Sequence, residues 1–164
     1  MRSLLFILFV VLSISNSKAQ NCSYEKDKTD AFSGKRFRLT QTQIGGAVMI
    51  LSREGDKYAF SVRIIFGGAI DDSIRRKDTL LIKLADGKVL KISPINSTAA
   101  TFNMNRIITT EITVNYNTSE QIFKELSASP ITDFRFVMGA LERSIEVKSK
   151  HGNKVQKAAT CLLN

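Results

Sequence analysis

The 164-residue sequence lacks tryptophan and contains only one histidine and two cysteines. These numbers exclude a multi-histidine metal centre and a zinc site made of four cysteines. Neither a C-x-x-C pair, which dithiol redox enzymes use, nor the G-x-S-x-G motif of serine hydrolases occurs. We therefore predict no catalytic, cofactor-binding or metal-ligating residue, and no cofactor.

The composition is otherwise that of a globular domain. Hydrophobic residues make up 43% of the chain and charged residues 24%, which excludes a disordered or fibrous protein. The 24 lysines and arginines exceed the 15 aspartates and glutamates, so the protein is basic. A basic excess favours an anionic partner without identifying it.

The N-terminal segment has the three-part pattern of a cleavable export signal. Arg2 precedes the apolar run 4–12, and Ser17-Lys18-Ala19 places small residues at the −3 and −1 positions. The apolar run is too short to cross a bilayer, which takes about 20 residues, and no other run is long enough. We predict a signal peptide over residues 1–19, a single domain over 20–164, no membrane span after cleavage, and a periplasmic or secreted location.

Alternating hydrophobicity after residue 35 predicts strands. Phe37 and Leu39 alternate with Arg36 and Arg38, as in a half-buried strand. The clearest strand has five apolar residues on the face that should meet the core: Tyr58, Phe60, Val62, Ile64 and Phe66. Turn residues such as Asp86-Gly87 indicate hairpins. Residues 20–34 are predicted to be an irregular arm, and residues 69–78 and 95–106 to be loops.

Two segments have helical periodicity. Thr118 and Gln121 match a capping box at the start of a helix near residues 119–128. A C-terminal helix is predicted to open at Gly152-Asn153. Together with about eight strands, these helices predict an α+β fold with a mostly antiparallel sheet, and a curved half-barrel is the alternative arrangement.

The two cysteines, Cys22 and Cys161, allow a single disulfide. In an exported protein an even number of cysteines favours pairing, and this bond would join the N-terminal arm to the last helix. The alternative is two free thiols.

The titratable residues give no recognisable active site. His151 lies in a basic segment, where nearby positive charge disfavours binding of a proton or a metal ion, and we interpret it as a solvated loop residue. Asp71, Asp72 and Asp78 share one loop but lack the alternating spacing of a calcium site. A catalytic pair of carboxylates stays open as an alternative, although the sequence selects no pair.

Basic residues gather at three places: 35–38, 75–77 and 148–157. Arg75, Arg76 and Lys77 lie in the predicted charged loop 69–78, which makes them candidates for partner contact. Because the aromatic residues fall on apolar strand faces, we predict no nucleic-acid binding. Another exported protein or an anionic component of the cell envelope would fit the charge.

Both ends of the predicted domain resemble uncharacterised small exported proteins of Bacteroidota-type bacteria. The similarity rests on Cys22-x-Tyr24-Glu25-Lys26-Asp27, Asp30-x-Phe32-Ser33-Gly34-Lys35 and Lys157-Ala158-Ala159-Thr160-Cys161. The resemblance implies a periplasmic or secreted β-rich domain and carries no assigned activity.

These observations favour an exported domain that binds or interacts without catalysis. Two alternatives stay open: an envelope-acting hydrolase that uses a carboxylate pair, and an inhibitor or accessory subunit of another exported protein.

Overall fold

The computed structural model describes residues 22–104 and 108–164, and the predicted signal peptide lies outside these ranges. The described strands are β1 (Lys26–Thr29), β2 (Arg36–Ile44), β3 (Ala47–Glu54), β4 (Lys57–Gly67), β5 (Ser73–Ile74), β6 (Leu80–Leu84), β7 (Val89–Ile92), β8 (Thr98–Ala99), β9 (Thr101–Met104), β10 (Ile108–Tyr116), β11 (Ile131–Met138) and β12 (Leu141–Glu146). The described helices are α1 (Glu120–Ala128) and α2 (Ser149–Leu163).

The strands form three antiparallel sheets, which makes the fold β-rich with two helices, as predicted. A six-stranded sheet has the order β1-β2-β3-β4-β10-β9, a four-stranded sheet the order β12-β11-β6-β7, and β5 pairs with β8. The hairpin turn predicted at Asp86-Gly87 is confirmed, and a second hairpin turns at Gly55-Asp56 between β3 and β4. Gly55 and Gly87 have the positive φ angles that favour glycine.

The core lies between the two larger sheets and the helices. On β4 the predicted apolar stripe is confirmed: Phe60, Val62, Ile64 and Phe66 are buried, and Tyr58 is half-buried. Side chains of β6, β11 and both helices complete the same cluster. Helix α2 packs on α1, β2, β3 and β11, which places it along one side of the six-stranded sheet.

The prediction of about eight strands in one sheet was wrong, because the largest sheet has six. All four residues of β1 are exposed, so backbone pairing with β2 holds this strand and no apolar alternation could reveal it. Strands β5, β8 and β9, within the two predicted loops, are also too short to show a period. The half-barrel is not confirmed.

The predicted helix near 119–128 is confirmed as α1, but its capping box is not formed. Ser119 occupies the N-cap position and makes no side-chain capping hydrogen bond. The Thr118 hydroxyl is buried without a hydrogen-bond partner, and the Gln121 side chain donates to Glu125 instead. Within the described residues, no helix has the length and hydrophobicity needed to cross a membrane.

Candidate functional site

Strand β2 has an open edge beside helix α2. Its pairing with β1 ends at the pair Lys26–Leu39, and beyond it the described part of the chain provides no strand on this side of β2. The Leu39 carbonyl still accepts a hydrogen bond from the backbone N–H of Glu25 at 2.9 Å. Because the direction of backbone groups alternates along a strand, Gln41 and Gln43 aim their N–H and C=O groups at the same open edge.

A disulfide diverts the N-terminal arm away from this edge. Cys22 is bonded to Cys161 of α2, with the two Cα atoms 5.6 Å apart, as the two cysteines predicted. The bond draws residues 22–25 towards the end of α2 instead of letting them continue alongside β2. Among the described residues, no backbone hydrogen bond joins the arm to the edge from residue 40 to residue 44.

The C-terminal end of α2 is fixed by side chains from the arm and the sheet. The Tyr24 hydroxyl and the Arg38 guanidinium both donate to the Cys161 carbonyl, at 2.9 and 3.2 Å. Arg53 donates to the carbonyls of the following two residues at 2.8 and 2.9 Å. The last carbonyls of a helix lack partners within it and carry partial negative charge, so the two cations stabilise this end of α2.

The burial of Arg38 was not predicted from the sequence. If the apolar residues of β2 faced the core, Phe37 and Leu39 would be buried. Instead, the buried face carries Arg38, Thr40 and Thr42. This polar face can be buried because Arg38 finds its partners on α2 and on the arm. The disulfide prediction already implied that α2 lies close to the arm, and that was the one available signal.

Two adjoining cavities separate the β2 edge from α2. One, of about 280 Å³, is lined by Thr40, Gln41 and Thr42 of β2, by Lys154, Lys157, Ala158 and Cys161 of α2, and by Ser23 and Glu25 of the arm. The other, of about 370 Å³, is lined by Gln43, Gly45, Glu146, Lys148 and His151. Consecutive residues of β2 and successive turns of α2 line the two cavities, and we refer to both together as the β2–α2 groove.

Positive charge predominates in the β2–α2 groove. Its lining contains three lysines, Lys148, Lys154 and Lys157, and two carboxylates, Glu25 and Glu146. The ion pairs found among the described residues involve none of these five side chains. The wall formed by α2 therefore presents cations that are available to an anionic partner.

The lysines at the start of α2 do not help to stabilise the helix. Lys148 is the N-cap residue and makes no capping hydrogen bond, and the first turn contains no acidic residue. Cations at a helix N-terminus interact unfavourably with the helix dipole. The stability of α2 therefore does not explain the basic side chains at its start.

The interpretation of His151 as a loop residue was wrong. Helix α2 begins at Ser149, earlier than the predicted Gly152, so His151 is half-buried in the first turn and lines the groove. The early start escaped sequence analysis because no capping residue marks it.

The candidate contact residues Arg75, Arg76 and Lys77 do not line the β2–α2 groove. The Arg75 side chain and backbone N–H both bind the buried Asp78 carboxylate, at 3.3 and 2.8 Å, so Arg75 helps to hold its own turn. Arg76 and Lys77 are exposed.

The buried Asp78 carboxylate also affects Tyr116. Burial of the Tyr116 hydroxyl, together with the nearby charge of Asp78, raises the pKa of this hydroxyl above its ordinary value.

The three aspartates of the same loop have different surroundings. Asp71 is exposed, and Asp78 is buried. The Asp72 carboxylate accepts from the N–H of Ser73 and lies against Gly139, where an added Cβ atom would overlap it. Across residues 22–104 and 108–164 there is no group of three histidine, cysteine, aspartate or glutamate side chains that could hold a metal ion.

Tyr24→Phe should lower the free energy of unfolding by about 1 kcal/mol, because the hydroxyl bridges Arg38 and the Cys161 carbonyl. Tyr58→Phe is the matched control, since Tyr58 contacts Phe123 through its ring, with the centroids 4.8 Å apart. Urea unfolding of both variants measures the difference. Equal stability of the two variants would show that the Tyr24 hydroxyl contributes nothing to anchoring α2.

Compared with protein-family models, curated proteins and solved structures, the chain matches none of them.

Proposed function

We propose that this protein is an exported binding module without catalytic activity, which contacts an anionic partner through the β2–α2 groove. The observation that carries the proposal is the wall of lysines on α2, which faces an open strand edge and has no ion-pair partners among the described residues. Reversible attraction of a negatively charged surface is what such a groove can do without a catalytic group.

Export is part of the proposal. Disulfides persist mainly outside the reducing cytoplasm, so the Cys22–Cys161 bond supports a periplasmic or secreted location. The signal pattern of residues 1–19 and the resemblance to small exported Bacteroidota-type proteins agree with it. The partner would then be another exported protein or an anionic component of the envelope.

The exposed loop carrying Arg76 and Lys77 is the competing contact. Because Arg75 is engaged with Asp78, only these two side chains of the predicted trio are proposed to reach a partner. The two contacts can be separated by charge reversal at one place and then at the other.

Lys154→Glu with Lys157→Glu should weaken partner binding by about 30- to 1,000-fold, since two attractions of on the order of 0.5–1 kcal/mol each become repulsions of similar size. Affinity is measured with immobilised protein and an anionic fraction of an envelope extract. Arg76→Glu with Lys77→Glu is the matched control, because it changes the net charge equally at the other contact.

Loss of binding in the control pair alone would move the contact to the loop and contradict the role of the groove. Turnover of a polysaccharide, peptide or ester by the purified protein would contradict the whole proposal. That result would be decisive if one aspartate or glutamate substitution abolished turnover and left the fold intact.

A further inference from the structure

We infer that the β2–α2 groove binds an extended acidic segment of a partner polypeptide, which adds to β2 as a further strand. This inference rests on the proposed function and names the chemistry of the partner. It depends on the backbone of β2, whereas the proposed function depends on the charge of α2, so the two can be tested apart.

The open edge of β2 supplies the backbone contacts. Each of Gln41 and Gln43 aims one N–H and one C=O group at the groove, because the alternation fixed at Leu39 continues along the strand. Adding a strand to a free sheet edge is a recurring mode of peptide recognition, in which main-chain hydrogen bonds provide affinity. The edge from residue 40 to residue 44 would pair with about five residues of an extended chain.

The faces of β2 determine which side chains of the segment meet α2. Thr40 and Thr42 point to the side of the helix and are buried, whereas Gln41 and Gln43 are exposed. Directly opposed residues of paired strands share a face. Residues opposite the two threonines would therefore face Lys154 and Lys157, so carboxylates should recur at alternate positions of the segment.

The carboxylates already in the groove limit where the acidic residues of the segment can lie. Glu25 bonds through its N–H to Leu39, where the open edge begins, and Glu146 lines the cavity with Gln43 and Gly45, where β2 ends. Each would repel a carboxylate beside it, while Lys154 and Lys157 line the cavity next to Thr40 and Thr42. This arrangement favours an acidic centre with uncharged flanks.

The strand edge distinguishes a polypeptide from other anions. A polysaccharide or a nucleic acid would use the lysines alone and would leave the N–H and C=O groups of Gln41 and Gln43 to water. Only a polypeptide has donors and acceptors at the spacing of a β-strand. The structure thus favours a peptide segment over other anionic polymers.

The test uses an N-acetylated, C-amidated peptide of seven residues in which threonine and glutamate alternate, titrated into the purified protein by calorimetry. In one derivative the threonine nitrogens are methylated, and in the other the glutamate nitrogens are. A paired strand directs alternate N–H groups to its partner, so one derivative should lose at least about tenfold in affinity while the other keeps it.

Weak binding of the threonine-methylated peptide would support an antiparallel added strand, and weak binding of the glutamate-methylated peptide would support a parallel one. Equal affinity of all three peptides would overturn strand addition but leave a basic groove that binds anions. No binding of the unmethylated peptide would overturn the inference, while capture of an envelope partner sensitive to Lys154→Glu with Lys157→Glu would preserve the proposed function.

A change in the protein gives an independent test. Gln41→Pro removes one of the two N–H groups that face the open edge and leaves the bonds between β2 and β3 in place, since proline is tolerated on sheet edges. We expect Gln41→Pro to lower the affinity for the peptide by about tenfold. Gln41→Ala keeps the N–H and should change this affinity by less than about threefold. Equal affinities of two folded variants would overturn the inference.

The alternative occupant of the open edge of β2 is a second copy of the chain. Sedimentation equilibrium of the wild-type protein and of Gln41→Pro distinguishes this case. A concentration-dependent dimer that is lost in Gln41→Pro would overturn the inference, whereas a monomer at the concentrations of the titration agrees with a peptide partner.

Discussion

Replacing Cys22 and Cys161 together by serine should lower the free energy of unfolding by about 3–5 kcal/mol. The disulfide joins residues 139 positions apart, so it restricts the unfolded chain more than a short bridge would. In the folded state the same bond holds the arm against α2, where Tyr24 and Arg38 also bind the Cys161 carbonyl.

Urea unfolding of the double variant at neutral pH measures this loss. Reduced wild-type protein, with its thiols alkylated after reduction, is the control and should fall to about the same stability. A loss below about 1 kcal/mol in both samples would show that the contacts of Tyr24, Arg38 and Arg53 alone hold α2 in place. Peptide mapping without reduction should find the two cysteine peptides joined.

Gly152→Ala should lower the free energy of unfolding by about 2 kcal/mol. A Cβ atom at Gly152 would lie close to the backbone carbonyl oxygen of Ile131, and that oxygen, as part of β11, cannot move aside like a side chain. Overpacking of this kind lowers the free energy of unfolding by up to about 3 kcal/mol. The higher helix propensity of alanine raises it by about 1 kcal/mol. The net effect follows from these two opposing contributions.

Asn153→Ala provides the comparison for Gly152→Ala. The neighbouring Asn153 is exposed on the same helix, so alanine there should leave stability unchanged or raise it by about 0.5 kcal/mol. Thermal unfolding, monitored by circular dichroism, measures the difference in stability between the two variants. If Gly152→Ala were as stable as Asn153→Ala, α2 would be free to move away from β11.

The elements that sequence analysis found are those with a strong local signal. The stripe on β4 was visible because five apolar residues alternate without interruption, and the turn at Asp86-Gly87 because its residues suit a two-residue hairpin. Helix α1 ends before Pro130, which cannot continue it. The disulfide followed from having a single possible pair.

The order of strands could not be predicted, because it depends on contacts between distant residues. Strand β10 pairs with β4, while β6 and β7, which lie between them in sequence, belong to another sheet with β11 and β12. No local pattern contains this information. The all-polar strand β1 is a similar case, since only its neighbour β2 makes it a strand.

The groove was hidden for a related reason. Its lysines are visible in the sequence as part of a basic segment, but the segment was predicted to begin with a turn, and the edge opposite it belongs to a strand more than 100 positions earlier. Thr40 and Thr42 give no apolar signal either. The site exists only where α2 crosses β2.

The long separation between the two walls of the groove also affects the protein while it is being made. The hairpin of β2 and β3 can form soon after its residues appear, whereas α2 follows β2 by more than 100 positions. At a synthesis rate of about 5–20 residues per second, α2 is completed on the order of 5–20 s after β2, and until then the edge of β2 has no helix beside it. During that interval it is a bare template for pairing with any neighbouring chain. If the groove binds an acidic strand as proposed, completion of α2 turns a site of early aggregation risk into one that favours strands of opposite charge.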